Sequence, residues 1–309
     1  MTESVKNIFR KILSEQTYRK LQDLRTVIYM KISPKRGISM IFRSVLGYDM
    51  PWNNPQDLNE KINWMKLYSD TDEWTRLGDK YRVRDYIRKK GYGDLLVPLI
   101  GKWDRVEDID WDALPNKFVM KMNNGSGDIL ICKDKSKLNI EAWKKRFKRL
   151  FKKDFGTTLG EFHYAKMKPC IIAEELLDAA KQSIKSTSLI DYKLWCFNGE
   201  VTYILIYLNR QPDSVQVTVY DTDWTPHPEH IKCTPQRILY TEELPRPMSL
   251  PLMIQAASDL SKGFPQVRVD FYEVDGKLYF GEMTFTSHSG YMDYHTKKFL
   301  LELGKKVQL

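Results

Sequence analysis

Along residues 1–50, Ile8, Ile12 and Leu13 recur at helical spacing among basic residues, and so do Leu21, Leu24 and Ile28. This pattern predicts basic amphipathic helices. Residues 51–100 stay helical with short breaks. Asn54-Pro55 marks a turn, Asp57 is placed to cap LNEKINWMKLY, and Asp79 is placed to start DKYRVRDYIRKKGYG, which ends at Gly91 or Gly93. LLVPLIGKW then reads as a buried strand. From Leu114 the pattern changes. KFVMKM (117–122) and ILICKD read as strands on either side of the glycine-bearing loop NNGSGD, a strand–loop–strand flap over a ligand.

Residues 140–153 read as a helix with Trp143, Phe147, Leu150 and Phe151 on one face and seven Lys/Arg elsewhere between 144 and 153. CIIAEELL (170–177) reads as a buried strand ending in two carboxylates. YKLWCFNGEVTYILIYLNR reads as a hairpin turning at Asn198-Gly199. Residues 211–248 read as irregular and proline-bearing. PLMIQAASDLSKGF reads as an amphipathic helix, QVRVDFYEVDGKLYFGEMTF as a final hairpin and KKFLLELGKK as a closing helix. There is no internal repeat. Helices alternating with hairpins predict an α+β fold with mostly antiparallel sheet.

Composition narrows the functions. The chain has 309 residues, 42% hydrophobic and 12% aromatic, enough for a sizeable core in one large domain or two intimate ones. The net charge of +9 calls for an anionic partner: a nucleotide, a nucleic acid, an acidic polysaccharide or a membrane surface. Ten Lys/Arg against four Asp/Glu fall in residues 1–50. That stretch reads either as a solvated helical extension packed on the body or as peripheral attachment to anionic lipid at the inner membrane face. No RNA-recognition or helix-turn-helix pattern is present, so nucleic acid is not the expected partner. Cys132, Cys170, Cys196 and Cys233 form no C-x-x-C pair, which fits a reducing, cytoplasmic setting and shows no zinc ribbon or redox motif. MTESVKNIFRKIL lacks the apolar core of a secretory signal, and no apolar run approaches the ~20 residues that span a bilayer. His227 and His230 have a spacing that could hold a metal, but their proline-bearing loop reads first as plain surface. Asp221-Thr222-Asp223 spells the D-x-D of some glycosyltransferases, a third-ranked reading beside Trp224 and a proline.

The candidate chemistry lies in RVDFYEVDGKLYFGEMT. A strict two-residue turn at Asp275-Gly276 would put Asp270 and Glu282 on opposite faces. A three-residue loop, Val274-Asp275-Gly276, moves the register by one. Asp270 then pairs with Phe280 and Arg268 with Glu282. Arg268, Asp270, Glu282 and Thr284 share one face, and Val267, Val269, Phe271, Tyr279 and Met283 share the other. Two carboxylates and an arginine on an inner face call for a ligand such as Mg²⁺ with a polyphosphate. Taken alone, the hairpin also fits an exposed face with a surface ion pair. Upstream, Lys121 ends a strand just before Asn123-Asn124-Gly125-Ser126-Gly127, whose backbone N–H groups could wrap phosphate. This is not the P-loop pattern.

In order, KFVMKMNNGSGD, IIAEELL, the D-Y-K hairpin and R-V-D-F followed by G-E-M-T resemble the ATP-grasp superfamily, two α+β subdomains clasping ATP. The likeness is closest to the TupA-like, teichuronopeptide-biosynthesis branch found with bacterial surface-polysaccharide genes. It takes in NPQDLNEKINWMKLY, GDKYRVRDYI and EFHYAKMKPC and runs over roughly residues 50–295. The resemblance implies a basic helical extension (1–50), an N-terminal helical or α+β region (51–115), a small lobe with flap and hinge (116–178) and a large lobe with the metal hairpin (179–309). It implies ATP and Mg²⁺ as cofactors. Lys121 would meet the α- and β-phosphates under a flap of Asn124, Gly125, Ser126 and Gly127. Glu174, Glu175, Leu176 and Leu177 would form the adenine hinge, Asp191 would lie near the ribose and Lys193 near phosphate. Asp270, Glu282 and Thr284 would hold the metal, and Arg268 the γ-phosphate. Many relatives carry asparagine where this chain has Thr284, which bears on the number of metal ions. Lys80 is a further nucleotide-site candidate, and His288 and Ser289 are candidate acceptor contacts. The implied activity is carbon–nitrogen ligation through an acylphosphate. The implied acceptor is a uronic acid in an anionic glycan, a nucleotide-sugar or a lipid-linked sugar, joined to an amino acid or amine. A kinase on the same scaffold is the runner-up.

Overall fold

The computed structural model describes residues 15–125 and 127–309, with side chains described from Leu24 onward. Ile8, Ile12, Leu13 and Ser126 lie outside the described residues. Helices α1 (Glu15–Ile32) and α2 (Pro34–Leu46) form a hairpin at Ser33. The apolar stripe expected on α1 faces outward, with Leu24, Ile28 and Ile32 all exposed, while Met30 is buried. α3 (Leu58–Tyr68) begins at Asp57, which accepts from the Glu60 N–H while Glu60 reaches back to the Asp57 N–H. The helix expected from Asp79 starts later. Asp79 caps a turn by accepting from Tyr81 and Arg82, and the helix proper runs Val83–Lys89, followed by left-handed Gly91. A short helix, Asp72–Leu77, precedes it.

Two sheets follow. The smaller has β1 (Leu99–Trp103), β2 (Phe118–Met122), β3 (Ile129–Cys132) and β4 (Ile171–Glu174) in the order β1-β4-β2-β3, all antiparallel. β1 is an edge strand and only half buried, not the buried strand expected, and it adds residues N-terminal to 116 to this lobe. The helix Ile140–Phe151 packs Phe147 and Leu150 against Phe118, Met120, Leu130 and Ile171, and its lysines and arginines lie on the outer side.

The larger sheet has β5 (Asp191–Phe197), β6 (Glu200–Leu208), β7 (Val215–Asp221), β8 (Arg237–Leu239), β9 (Val267–Val274) and β10 (Lys277–Thr284), in the order β10-β9-β5-β6-β7-β8. Asn198 and Gly199 both take positive φ at the β5–β6 turn, as expected. The irregular reading of 211–248 is wrong at β7 and β8. VQVTVYD carries the period-2 alternation of a strand, with Gln216 half buried and Thr218 buried. β8 pairs with β7 in the parallel sense; every other ladder between named strands is antiparallel. The helix Leu250–Ser261 closes one face, burying Met253, Ala256, Ala257 and Leu260 in the main core with Leu194, Ile204, Val269 and Phe271. No helix among the described residues is long and apolar enough to cross a membrane.

Candidate active site

The β9–β10 hairpin departs from its expected register. The turn has two residues, with Asp275 at φ 58° and Gly276 at φ 70°, and Val274 pairs with Lys277. Tyr279 therefore pairs with Tyr272 on the polar face, and Phe280 takes the expected place of Tyr279 beside Phe271. A bulge at Gly281 then restores the useful parity. Beyond it Glu282 pairs with Asp270 and Thr284 with Arg268, neither being the pair expected. A Cβ at Gly281 would lie 3.0 Å from the Asp270 carbonyl oxygen and 3.2 Å from the Tyr272 ring, so glycine suits the bulge. The four residues Arg268, Asp270, Glu282 and Thr284 share one face after all, by a bulge and not by the turn.

That face is a closed network. Arg268 donates to both Asp270 oxygens at 2.7 and 2.8 Å, to Glu282 at 3.2 Å and to Thr284 Oγ1 at 3.1 Å. Thr284 donates to Glu282 at 2.9 Å. On the neighbouring strand Lys193 pairs with Asp270 in the ladder, and its Nζ lies 2.6 Å from Asp270 and 3.1 Å from Asp191. Arg210 closes the row on Asp191 at 2.9 Å. Lys80 lies 3.6 Å from Glu282 and donates to the Gly125 carbonyl at 2.8 Å, so it ties the flap to the hairpin. Burial opposes ionisation of Glu282, but Lys80, Arg268 and Lys193 outweigh it and hold its carboxyl down at about 2. Burial likewise opposes the charge on Lys193, and Asp191 and Asp270 overcome it, raising its pKa.

The flap is anchored at its base. Asn123 donates to Asp79 at 2.7 Å and to the Lys168 carbonyl at 3.0 Å, and its Oδ1 accepts from the Cys170 N–H at 2.7 Å. The Gly125 position is crowded by the Phe155 ring, 2.8 Å from where a Cβ would sit. Lys121 pairs with Glu174 at 2.7 Å, and Arg84 binds the same carboxylate at 2.9 Å. The Glu174 side chain is thus occupied, and the Glu175 N–H donates to the Pro98 carbonyl. Leu176 and Leu177 follow, half buried, just past the end of β4.

A cavity of about 460 Å³ joins the flap to the hairpin, lined by Lys80, Asn124, Gly125, Arg268, Glu282 and Thr284 on one side. Its other side holds His288 and Ser289 together with Glu161, Thr286 and Tyr291. Glu161 accepts from Thr286 Oγ1 and, at 2.9 Å, from Ser289 Oγ. Buried Lys66 donates to the Ser289 carbonyl at 2.6 Å, to that of Leu159 at 3.1 Å and to Asn63 at 2.9 Å. Burial pushes the Lys66 ammonium down to about 7, with Glu161 opposing, and burial raises Glu161 against the pull of Lys66. His288 and Ser289 are successive left-handed residues at φ 45° and 53°, a backbone costing about 1–3 kcal/mol each. Lys66 and Glu161 were not singled out from sequence. One is a lysine on the buried face of a helix, the other an isolated acid in EFHYAKMKPC.

The donor set fits a magnesium-bearing polyphosphate. Asp270, Glu282 and Thr284 offer hard oxygen, and two carboxylates suit Mg²⁺ shared with phosphate better than an all-protein cage. Around them Arg268, Lys193, Lys80 and Arg210 stand against Asp191, Asp270 and Glu282, a positive excess for an anion. Asn124 Oδ1 in the cavity lining is buried without a hydrogen-bond partner among the described residues.

A flap-bearing antiparallel lobe set over a sheet whose inner face carries a carboxylate pair is the ATP-grasp arrangement. Residues 60–308 match the family described as TupA-like ATPgrasp, and the chain belongs to that family. Among solved structures it is similar to a D-alanine–D-alanine ligase from Bacillus anthracis complexed with ATP (16% identity, 68% of this chain and 55% of that one, TM-score 0.39). It is also similar to an L-amino acid ligase from Bacillus licheniformis (13%, 84% and 56%, TM-score 0.45). A third is the ATP-grasp ligase PsnB complexed with a phosphomimetic precursor variant, Mg and ADP (14%, 81% and 66%, TM-score 0.40). The chain spans little more than half the length of the first two. No curated protein matches it.

Proposed function

We propose that the chain is an ATP- and Mg²⁺-dependent carboxylate–amine ligase that amidates a uronic acid or related carboxylate in an anionic glycan precursor. One observation carries this reading. Glu282, which pairs with Asp270 in the ladder, lines the same cavity as a second polar cluster, Glu161, Thr286 and Ser289, so a nucleotide and an acceptor can meet there. Bound Mg²⁺ supplies charge neutralisation on the phosphates. Asp270, Glu282 and the Thr284 hydroxyl hold the metal. Arg268, with Lys193 and Lys80 beside it, is placed to turn from its carboxylates to the γ-phosphate. Lys121 serves the α- and β-phosphates by leaving Glu174, which stays neutralised by Arg84. Residues 124–127 cover the phosphates, residues 174–177 border the adenine, and Asp191 lies toward the ribose. His288 and Ser289 border the acceptor carboxylate, whose oxygen attacks the γ-phosphorus as the bond to ADP breaks. The amine then attacks the acyl carbon of the acylphosphate, loses a proton and releases phosphate. Catalysis here is positioning and charge neutralisation.

The +9 charge and the basic outer face of the helix Ile140–Phe151 support an anionic acceptor, whether glycan, nucleotide-sugar or lipid-linked sugar. The exposed Leu24, Ile28 and Ile32 on a basic helix support work at the cytoplasmic membrane face. The test is incubation with Mg-ATP, a panel of uronic acids and pooled amines, read by mass spectrometry. A new amide with ADP and free phosphate is expected. A phosphorylated acceptor would make the chain a kinase, and no ATP consumption with any acceptor would end both readings.

A further inference from the structure

Away from the cavity, the segment that follows β7 gathers a second set of ligating groups. His227 Nδ1 lies 3.0 Å from Glu229 Oε1, and His230 Nε2 lies 3.9 Å from the same oxygen. One ligand atom from each residue falls within 4.8 Å of the other two. Ligand atoms about 2.0–2.1 Å from a tetrahedral ion lie a little over 3 Å apart, so small side-chain adjustments bring these three to coordination distance.

Two further observations point to a ligand and not to a plain ion pair. His230 is 8% exposed, and its Nε2 is buried with no hydrogen-bond partner among the described residues although it faces the Glu229 carboxylate. A buried imidazole nitrogen left in that state is what an ion would satisfy. The other nitrogen of His227, Nε2, meets Asp221 Oδ2 at 3.1 Å. The remaining Asp221 oxygen accepts from the Asp223 and Thr225 N–H groups at 3.0 and 2.8 Å, which fixes the carboxylate. A carboxylate that orients a histidine through the nitrogen facing away from the metal is the usual outer support of such a ligand. His230 is held as firmly, stacked on Phe299 at 4.0 Å with the Tyr203 ring edge-on to it.

We propose that His227, Glu229 and His230 form a binding site for a divalent transition ion of the zinc class. Two imidazoles and a carboxylate select zinc over magnesium. Glu229 is exposed, so the fourth position opens to water. In the sheet Asp221 pairs with Tyr203, whereas Asp191, next to the nucleotide residues, pairs with Tyr207, four positions further along the same strand. The ion's role is bracing. The Lys232 N–H donates to the Tyr294 carbonyl at 2.8 Å and the Thr296 N–H to the His230 carbonyl at 3.1 Å. Fixing residues 227–230 therefore fixes the chain that leaves the left-handed His288-Ser289 segment.

The experiment uses the full chain, stripped with chelator, dialysed against micromolar Zn²⁺ and then assayed for bound metal, with Co²⁺ absorption reporting the ligand geometry. One zinc per chain is expected, with a rise in melting temperature on loading. His227→Gln and Glu229→Gln, which leave His230 packed on Phe299, should each weaken zinc binding at least tenfold and abolish the thermal shift. Asp270→Asn should retain the zinc. Substoichiometric zinc in the wild type, or equal zinc affinity in both loop variants, overturns the site; the second result would place the ion elsewhere, at a group such as exposed Cys233.

Discussion

The two polar clusters that border the cavity differ in how they are assembled. Arg268, Asp270, Glu282 and Lys193 owe their positions to two adjoining antiparallel ladders that share β9, in which each lies opposite or two residues along from another. Lys66, Glu161 and Ser289 are collected from remote segments, with Lys66 and Glu161 bonding to a residue 223 and 128 positions away. The first cluster sits on strands in ordinary conformations. The second holds two consecutive left-handed residues in place. On the proposed function, the strand-borne cluster serves the nucleotide side and the collected cluster the acceptor side. Variants should separate these two roles.

The largest effect is expected on the ladder. Glu282→Gln and Asp270→Asn should each lower ATP turnover by about 10²–10³-fold, because the charge opposed to the metal is lost. Asp270→Asn should also lower stability by about 3 kcal/mol, since Arg268 and Lys193 then face each other across a buried site. Turnover measured below the melting temperature of each variant checks the first expectation, and denaturant titration checks the second. Full activity in both variants would remove the ladder from the chemistry.

Lys66→Met tests the collected cluster. It should raise the KM for the acceptor about tenfold while leaving the KM for ATP within about twofold. An equal rise in both constants would merge the two clusters into one.

A smaller effect is expected at the bulge. Gly281→Ala puts a Cβ 3.0 Å from the Asp270 carbonyl, which should cost about 1–3 kcal/mol. It should also weaken metal-dependent ATP binding, because the opposition of Glu282 to Asp270 depends on that extra residue. Wild-type ATP affinity in Gly281→Ala would show that the register tolerates the crowding.

A last effect is expected in acid. The Glu282 carboxyl is held at about 2 in the fold against 4.5 as its ordinary value. A depressed carboxyl contributes stability that is fully present above its unfolded value and is lost as pH falls through its folded one. Wild type should therefore lose stability relative to Glu282→Gln between pH 4.5 and pH 2, with no further divergence below that window. Parallel curves across the window would detach Glu282 from its three cations.

Much of the ladder could be read from sequence because strand parity is local. RVDF and GEMT show which residues can share a face, and the apolar set Val267, Val269, Phe271 and Met283 confirms the side that must be buried. The means by which parity is kept could not be read. A three-residue turn and a two-residue turn with a bulge at Gly281 both put Asp270 and Glu282 on one face, but the first pairs Asp270 with Phe280 and the second pairs it with Glu282 and moves Tyr279 to the polar face. β7 alternates regularly over Val215–Val219, but it is short and lies between Pro212 and Pro226, so its flanks read as loop. Lys66 and Glu161 lay beyond local reasoning altogether. Their pairing with Ser289 and Thr286 depends on the chain passing under the strained segment, which no spacing encodes.

The most direct test of the central claim is Mn²⁺ binding, followed by electron paramagnetic resonance, with and without a non-hydrolysable ATP analogue. Mn²⁺ takes the place of Mg²⁺ on hard oxygen ligands. Wild type should bind Mn²⁺ tightly only when the analogue is present, and Asp270→Asn and Glu282→Gln should each weaken that binding at least about 100-fold, a coupling of roughly 3 kcal/mol. Nucleotide-dependent Mn²⁺ binding that survives unchanged in both variants would contradict the account.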